Sequence, residues 1–131
     1  MCASDDEIII LTETWLTDGV LSTELFSHLF NVFRCDRTYA KGGGVLIAIK
    51  NTHIVKKIQM TSPVSQIDVV GVKIRVENRQ LTIVAIYIPP SVQTIECMHL
   101  FDYLESCIDF DNPVLIVGDF NVSELVEYTN S

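Results

Sequence analysis

Short runs of β-branched and other apolar residues alternate along the chain with polar or glycine-containing stretches. Runs of this length, bounded by turn-forming residues, are typical of β-strands. We predict six strands, near residues 7–12, 31–36, 44–50, 67–76, 81–88 and 114–118. The last run, from Val114 to Val117, is apolar throughout, which indicates a strand covered on both faces.

The segment between the last two strands has helical periodicity instead. Its apolar residues recur at spacings of three, three, three and four: Ile95, Met98, Phe101, Leu104 and Ile108. This spacing predicts an amphipathic helix that packs those residues on a sheet. Thr94 is the expected N-cap, and Pro113 marks the return to extended chain.

Polar residues 77–80 separate two of the predicted strands, which are rich in Val and Ile, and this pattern predicts a tight hairpin. Antiparallel pairing is therefore part of the sheet structure, which favours a mixed sheet over a doubly wound parallel one. We place one domain at residues 1–122 and treat the polar residues 123–131 as a C-terminal tail.

Composition narrows the class of protein. With 131 residues, 48% of them hydrophobic, the chain has the size and apolar content of one globular domain. Its longest apolar runs are far shorter than the roughly 18 residues that span a membrane. The acidic first residues lack the basic region of a signal peptide. We therefore expect an intracellular protein without a membrane partner.

The cysteines do not indicate a metal site. Cys2, Cys35, Cys97 and Cys107 have neither Cys-x-x-Cys spacing nor histidines at ligand spacing, so we predict no zinc centre. Cys97 and Cys107 lie in the predicted helix, where buried free thiols are favoured over disulfides.

The net charge of −8 has the wrong sign for a general nucleic-acid-binding surface. Cations do cluster around the glycine-rich segment and the strand after it: Arg34, Arg37, Lys41, Lys50, Lys56 and Lys57. Solvated surface charges and a DNA-contacting patch are both compatible with this pattern. The acidity itself suits a divalent cation, because carboxylates are the natural ligands of Mg²⁺.

Candidate chemistry lies where predicted strands end. Gly118 follows the last apolar run and allows a turn or a close backbone approach, after which come Asp119 and Asn121. Glu13 similarly follows the first strand, and Tyr87 ends another. Each has an ordinary alternative: Gly-Asp-Phe-Asn is a common turn composition, Glu13 could cap a turn, and a strand tyrosine is often a core residue.

Five segments in order resemble one known family. They are Thr-Glu-Thr-Trp-Leu at 12–16, Phe-Arg-Cys-Asp-Arg at 33–37, the glycines at 42–44, Tyr-Ile-Pro-Pro at 87–90 and Gly-Asp-Phe-Asn at 118–121. Together they resemble the endonuclease/exonuclease/phosphatase superfamily and look most like the endonuclease domain of non-LTR retrotransposons. The resemblance implies an α+β fold, a four-layer α/β/β/α sandwich with mixed, largely antiparallel sheets, of which this chain carries the first half.

The resemblance also implies roles for four residues. Glu13 corresponds to the ligand of Mg²⁺ (or Mn²⁺), and Asp119 to the group that accepts a proton from the attacking water. Asn121 would orient Asp119 or the phosphate, and the Tyr87 hydroxyl would point at the scissile phosphate. The implied reaction is metal-dependent phosphodiester hydrolysis.

The implied substrate is DNA, nicked by a mobile-element endonuclease, which would require access to the nucleus. Arg34, Arg37 and Lys41 are the candidate substrate-binding cations. A phosphatase of the same superfamily acting on inositol phosphates or lipids is an alternative.

Two elements of the family pattern have no counterpart in the sequence. These are an early strand with an active-site asparagine and a late segment with an aspartate and an Asp-His pair; His28, His53 and His99 match none of the family positions. A catalytically inactive remnant is therefore a further alternative. A half-sandwich would also leave sheet surface uncovered, so we expect self-association or partial order.

Overall fold

The computed structural model describes residues 8–16, 26–36 and 42–121. In chain order the elements are β1 (Ile8–Thr12), β2 (Phe30–Cys35), β3 (Val45–Lys50), β4 (Ile54–Ile58), β5 (Asp68–Val76), β6 (Arg79–Tyr87), α1 (Thr94–Cys107) and β7 (Val114–Asp119). All six predicted strands are present, and β4 is an addition. The fold is α+β and matches a partial sandwich of the predicted kind.

The strands form two sheets. The first has the order β1-β3-β2, with both pairings antiparallel. The second has the order β4-β5-β6-β7, antiparallel except that β7 runs parallel to β6. The parallel pairing follows from α1, because a parallel connection needs a crossover and the helix supplies it.

The main core lies between the two sheets. Inward-facing residues alternate along the central strands and are almost fully buried: Val45, Ile47 and Ile49 of β3, Val70, Val72 and Ile74 of β5, and Ile83, Ala85 and Tyr87 of β6. Since side chains alternate across a strand, the intervening β5 and β6 residues face α1. The described residues therefore form three layers, with two sheets face to face and α1 behind the second.

Helix α1 confirms part of the predicted face, since Leu104 and, directly after the helix, Ile108 are buried and Phe101 packs against the same core. Cys97, Leu100 and Leu104 are buried against the second sheet, whereas Ile95 and Met98 are more than half exposed. The spacing of three chosen from the sequence drifts around the helix, because one turn takes about 3.6 residues. The face that packs uses spacings of three and four and begins at Cys97, two residues later than predicted.

The start of α1 also differs from the prediction. The N-cap is Gln93, not Thr94, which is the first helical residue. The Glu96 carboxylate accepts a hydrogen bond from the Gln93 backbone N–H at 3.1 Å. A glutamate three residues after the cap completes this bond, so its position rather than the Thr94 hydroxyl determines where the helix begins. Extended chain resumes after Pro113, as expected.

The β5–β6 hairpin is confirmed. Its two turn residues, Glu77 and Asn78, have φ values of 50° and 65°. Positive φ at both central positions is the property of a type I′ turn, whose twist matches that of the flanking strands. The turn thereby sets the register of the longest strand pair.

Both edges of the second sheet depart from expectation. Strand β4 was not predicted, because its two lysines at Lys56 and Lys57 break the alternation of apolar and polar residues. Strand β7 is at the other edge among the described residues and is not covered on both faces, since Leu115 is 47% exposed. Val114 and Ile116 of β7 pack against the core that contains α1. The other face of β7 is turned toward the first sheet and is only partly covered.

Within the described residues, no helix is both long and apolar enough to cross a membrane. The cysteines that the structure describes, Cys35, Cys97 and Cys107, form no disulfide; Cys97 is buried as predicted, whereas Cys107 is only partly buried. Burial, and next the charge of Asp68, raise the pKa of the Cys35 thiol. This thiol is therefore held neutral, as a packed side chain rather than as a nucleophile.

Candidate active site

The predicted catalytic residues converge on one end of the second sheet. Tyr87, at the end of β6, is the register partner of Asp119 on β7 and of Asp68 on β5. Register partners on neighbouring strands project from the same face, and neighbouring strands lie about 4.8 Å apart. Tyr87 belongs to the inter-sheet core, so all three residues face the first sheet.

Glu13 completes the group from the opposite sheet. It follows β1 directly, and its Oε1 atom accepts a hydrogen bond from the Tyr87 hydroxyl at 3.2 Å. Glu13 is exposed, whereas Tyr87 is 6% exposed. A buried aromatic ring thus presents its hydroxyl to a carboxylate that solvent can reach, and the two residues lie 74 positions apart in the chain.

The glycine segment after residue 41 supports the loop that carries Glu13. The Trp15 backbone N–H donates to the Gly43 carbonyl at 3.0 Å. Gly44 has a φ of 90°, and a β-carbon there would stand 2.5 Å from the Thr14 hydroxyl oxygen. Glycine is required at this position by both its conformation and the space available. The glycines therefore form the surface on which residues 13–15 rest, rather than only a turn.

Asp68 anchors this arrangement, and sequence reasoning missed it. The residue is 4% exposed, and its Oδ2 atom accepts a hydrogen bond from the Gly44 backbone N–H at 2.8 Å. A carboxylate on the second sheet thereby holds the glycine segment that leads into β3 of the first sheet. In the hairpin, residues at equal distances from the turn at Glu77 and Asn78 are partners, which pairs Asp68 with Tyr87. The position of Asp68 beside Tyr87 could therefore have been predicted from the hairpin.

Gly118 brings β7 close to β6. Strand β7 continues through Gly118 to Asp119, and a β-carbon on Gly118 would overlap the carbonyl oxygen of Ile86. Of the two functions predicted for this glycine, close backbone approach is the one the structure shows. Asp119 is thereby placed beside Tyr87 on the last residue of a regular strand.

Asn121 ties the chain together beyond the strand ends. Its side-chain Nδ2 donates to the Ile88 carbonyl at 3.0 Å, and the Ile88 N–H donates to the Asp119 carbonyl at 2.8 Å. The amide therefore fixes the segment after β6 against the segment after β7. Orientation of a phosphate or of Asp119 by Asn121 remains a prediction.

Of the candidate substrate-binding cations, the structure describes Arg34. Its guanidinium forms an ion pair with Asp36, with Nη2 and Nε at 2.8 and 3.1 Å from Oδ2. The pair is largely buried, with side-chain exposures of 15% and 7%. The geometry gives Arg34 a structural role in the first sheet, and its contact with substrate stays a prediction. Arg37 and Lys41 lie outside the described residues.

The donor set fits a lightly coordinated Mg²⁺ ion. The described residues contain no cluster of three or more histidine, cysteine or acidic side chains that could hold a metal. Mg²⁺, however, is commonly bound by one or two carboxylates with waters and substrate phosphates. Glu13, exposed beside Tyr87, suits that mode, and Asp119 is the register partner of the same tyrosine on the neighbouring strand. A zinc-type cage is a poorer match to these residues.

Solved structures share the fold. The chain matches the human Nocturnin catalytic domain with bound sulfate anion with a TM-score of 0.66 and 13% identity, covering 95% of this chain and 56% of that one. It matches humanized D. rerio TDP2 with a TM-score of 0.60 and 12% identity, covering 95% and 57%. The chain thus spans little more than half the length of these structures. At such identities the likeness concerns the fold.

Among curated protein sequences, none is significantly similar to the chain. The model of one protein family, described as the Endonuclease/Exonuclease/phosphatase family, matches residues 3–124. Members of this family are hydrolases that cleave phosphodiesters or phosphate esters, typically with divalent metal ions. Because the match covers nearly the whole sequence, and because Glu13, Tyr87 and Asp119 meet at one end of the fold, the chain belongs to the endonuclease/exonuclease/phosphatase family.

Proposed function

We propose that this chain is part of a Mg²⁺-dependent (or Mn²⁺-dependent) DNA-nicking endonuclease. The observation that carries the proposal is the hydrogen bond from the Tyr87 hydroxyl to Glu13, with Asp119 in register beside the same tyrosine. Within the family, the motif set of the sequence favours the endonuclease domains of non-LTR retrotransposons. DNA as the partner, and a nuclear location, belong to this proposal.

The residues divide the work of phosphodiester hydrolysis among them. Glu13 would hold the metal ion, which when bound neutralises phosphate charge and lowers the pKa of coordinated water. Asp119, placed at a strand end, would accept the proton of the attacking water. The Tyr87 hydroxyl is fixed by its buried ring and would donate to a phosphate oxygen once substrate is present. Asn121 would hold the ends of β6 and β7 in position.

A second candidate is a segment that has no activity of its own. The chain spans 56% of the Nocturnin chain and 57% of the TDP2 chain. Each oxyanion-type donor that a site lacks costs about 10² to 10³ in rate. A segment of this kind, without activity of its own, would serve at most in protein association.

Nicking of supercoiled plasmid by the purified chain tests the proposal. We expect relaxed circles to form with Mg²⁺ and not with EDTA. Glu13→Gln and Asp119→Asn should each lower the rate at least a hundredfold, on the order of the loss of a catalytic acid–base group. Glu105→Gln and Asp102→Asn make the same changes on the exposed face of α1 and should leave the rate unchanged.

The variants separate the two candidates. Nicking abolished at Glu13 and Asp119 but retained in the helix controls supports the endonuclease. Nicking that survives the site variants comes from a contaminant, and the proposed activity then fails. Folded protein without nicking favours the inactive segment.

A further inference from the structure

Trp15, the single tryptophan of the chain, is 63% exposed. Its backbone φ is 56°, in the left-handed region that aromatic residues seldom adopt. An exposed large aromatic ring and an unfavourable backbone conformation coincide at one residue. Such combinations persist where the surrounding structure holds them, and they concentrate at binding sites.

The surroundings do hold Trp15 in place. Its backbone N–H donates to the Gly43 carbonyl at 3.0 Å. Its ring lies flush with Gly42: a β-carbon on that glycine would stand 3.4 and 3.5 Å from the ring atoms Cζ2 and Cε2. One part of the indole is thus supported by backbone, while most of its surface faces solvent.

The position of Trp15 relative to the candidate phosphate site suggests its ligand. Trp15 lies two positions after Glu13, and two residues of chain span at most about 7 Å. Glu13 in turn contacts the Tyr87 hydroxyl. The Trp15 backbone therefore lies within about one nucleotide length of Glu13, the residue proposed to hold the metal ion, which itself contacts the hydroxyl proposed to donate to the phosphate.

The net charge makes a stacking contact more important for such a ligand. With a net charge of −8, the chain lacks the phosphate attraction that supplies most nonspecific nucleic-acid affinity. Base stacking on aromatic side chains does not depend on net charge and tolerates any sequence. We propose that Trp15 is a stacking platform for a nucleobase of the substrate, next to the scissile phosphate. This inference rests on the proposed function and specifies its substrate as a nucleotide polymer rather than a small phosphate ester.

Tryptophan fluorescence tests the inference directly, because all of the signal comes from Trp15. The chain is titrated, in EDTA to prevent cleavage, with a single-stranded DNA oligonucleotide and with an abasic oligonucleotide of the same length. We expect saturable quenching by the first and little by the second. Equal quenching by both, or quenching by neither, would overturn the proposal.

Two substitutions distinguish stacking of an aromatic ring on a base from the contact of any large apolar side chain. Trp15→Tyr keeps a ring that can stack, whereas Trp15→Leu keeps an apolar side chain that cannot. Binding of a fluorescein-labelled oligonucleotide, measured by anisotropy, should weaken roughly tenfold or more for Leu and less for Tyr. Circular dichroism confirms that both variants are folded. Equal weakening in two folded variants would refute stacking.

Hydrolysis of bis(p-nitrophenyl) phosphate distinguishes this inference from the proposed function. That substrate needs the phosphate site but presents no nucleobase. Trp15→Leu should raise KM for DNA while leaving the rate on the small ester within about twofold, a shift far below the roughly tenfold DNA effect. Loss of both activities would give Trp15 a structural role instead. If the chain hydrolyses neither substrate, the endonuclease proposal fails while the fluorescence titration still reports on base binding.

Discussion

The Tyr87 hydroxyl joins the two sheets at the candidate site, because its ring is buried in the second sheet and its acceptor, Glu13, follows the first. At the scale of single residues, this hydrogen bond should contribute to the free energy of unfolding, which can be measured whether or not the chain is active. Hydrogen bonds to charged groups contribute about 1.5–3 kcal/mol when shielded, and less where water reaches the acceptor, as it does at Glu13.

We expect Tyr87→Phe and Glu13→Ala to be coupled in a double-mutant cycle. The coupling in the free energy of unfolding, measured with urea, should be about 0.5–1 kcal/mol, because either change removes the same bond. In the nicking assay, Tyr87→Phe should also lower the rate, by about tenfold to a hundredfold.

Tyr103→Phe is the matched control for that cycle. The Tyr103 hydroxyl accepts a hydrogen bond from the Thr61 backbone N–H at 2.9 Å, away from Glu13. Its loss should cost about 1 kcal/mol of stability, with no coupling to Glu13→Ala and no effect on nicking. If Glu13→Ala were coupled equally to Tyr87→Phe and to Tyr103→Phe, the coupling would not come from the Tyr87–Glu13 hydrogen bond.

At the scale of secondary-structure elements, α1 shows how periodicity can identify a helix and still misplace its face. The prediction chose Ile95 and Met98, and the structure buries Cys97 and Leu100 instead. Both choices are compatible with an amphipathic helix, since apolar residues occur on two adjacent stripes. Only contact with β6 and β7 selects between them.

Leu100→Ala and Met98→Ala should therefore differ sharply. The first opens a cavity at a residue with no exposed surface, and we expect a loss of about 2–5 kcal/mol in the free energy of unfolding. Met98 is 54% exposed, so its truncation should change stability by less than about 0.5 kcal/mol. Chemical denaturation of both variants, compared at equal protein concentration, measures the difference. Similar losses in the two would favour the stripe predicted from the sequence.

At the scale of the whole molecule, the two edges of the second sheet differ in chemistry. Strand β4 carries Lys56 and Lys57, and charged residues on an edge strand discourage pairing with another chain. Strand β7 carries no charge before Asp119 and exposes Leu115. The described structure therefore has one protected edge and one that favours association.

We predict that the purified chain self-associates through β7. Leu115→Lys should shift its sedimentation coefficient toward the monomer value across a concentration series, because it places a charge on the open edge. Ile54→Lys makes the same change on β4, at a residue that is 74% exposed, and should leave the distribution unchanged. A wild-type chain that sediments as a monomer at all concentrations would contradict this prediction.

The sequence by itself determined the features that depend on near neighbours. Six strands, the hairpin turn at Glu77 and Asn78, the existence of α1 and the position of Asp119 at a strand end were all predictable from it. Alternation, turn chemistry and apolar runs act over a few residues, so they can be read along the chain. The order of the five motifs also indicated the family to which the chain belongs.

The tertiary structure decided which distant groups meet. The Tyr87–Glu13 bond, the hold of Asp68 on Gly44 and the buried face of α1 join segments from different elements. The edge position of β7 was decided in the same way. Each depends on how two sheets and a helix pack together, and packing energy arises only between surfaces that the fold has brought into contact.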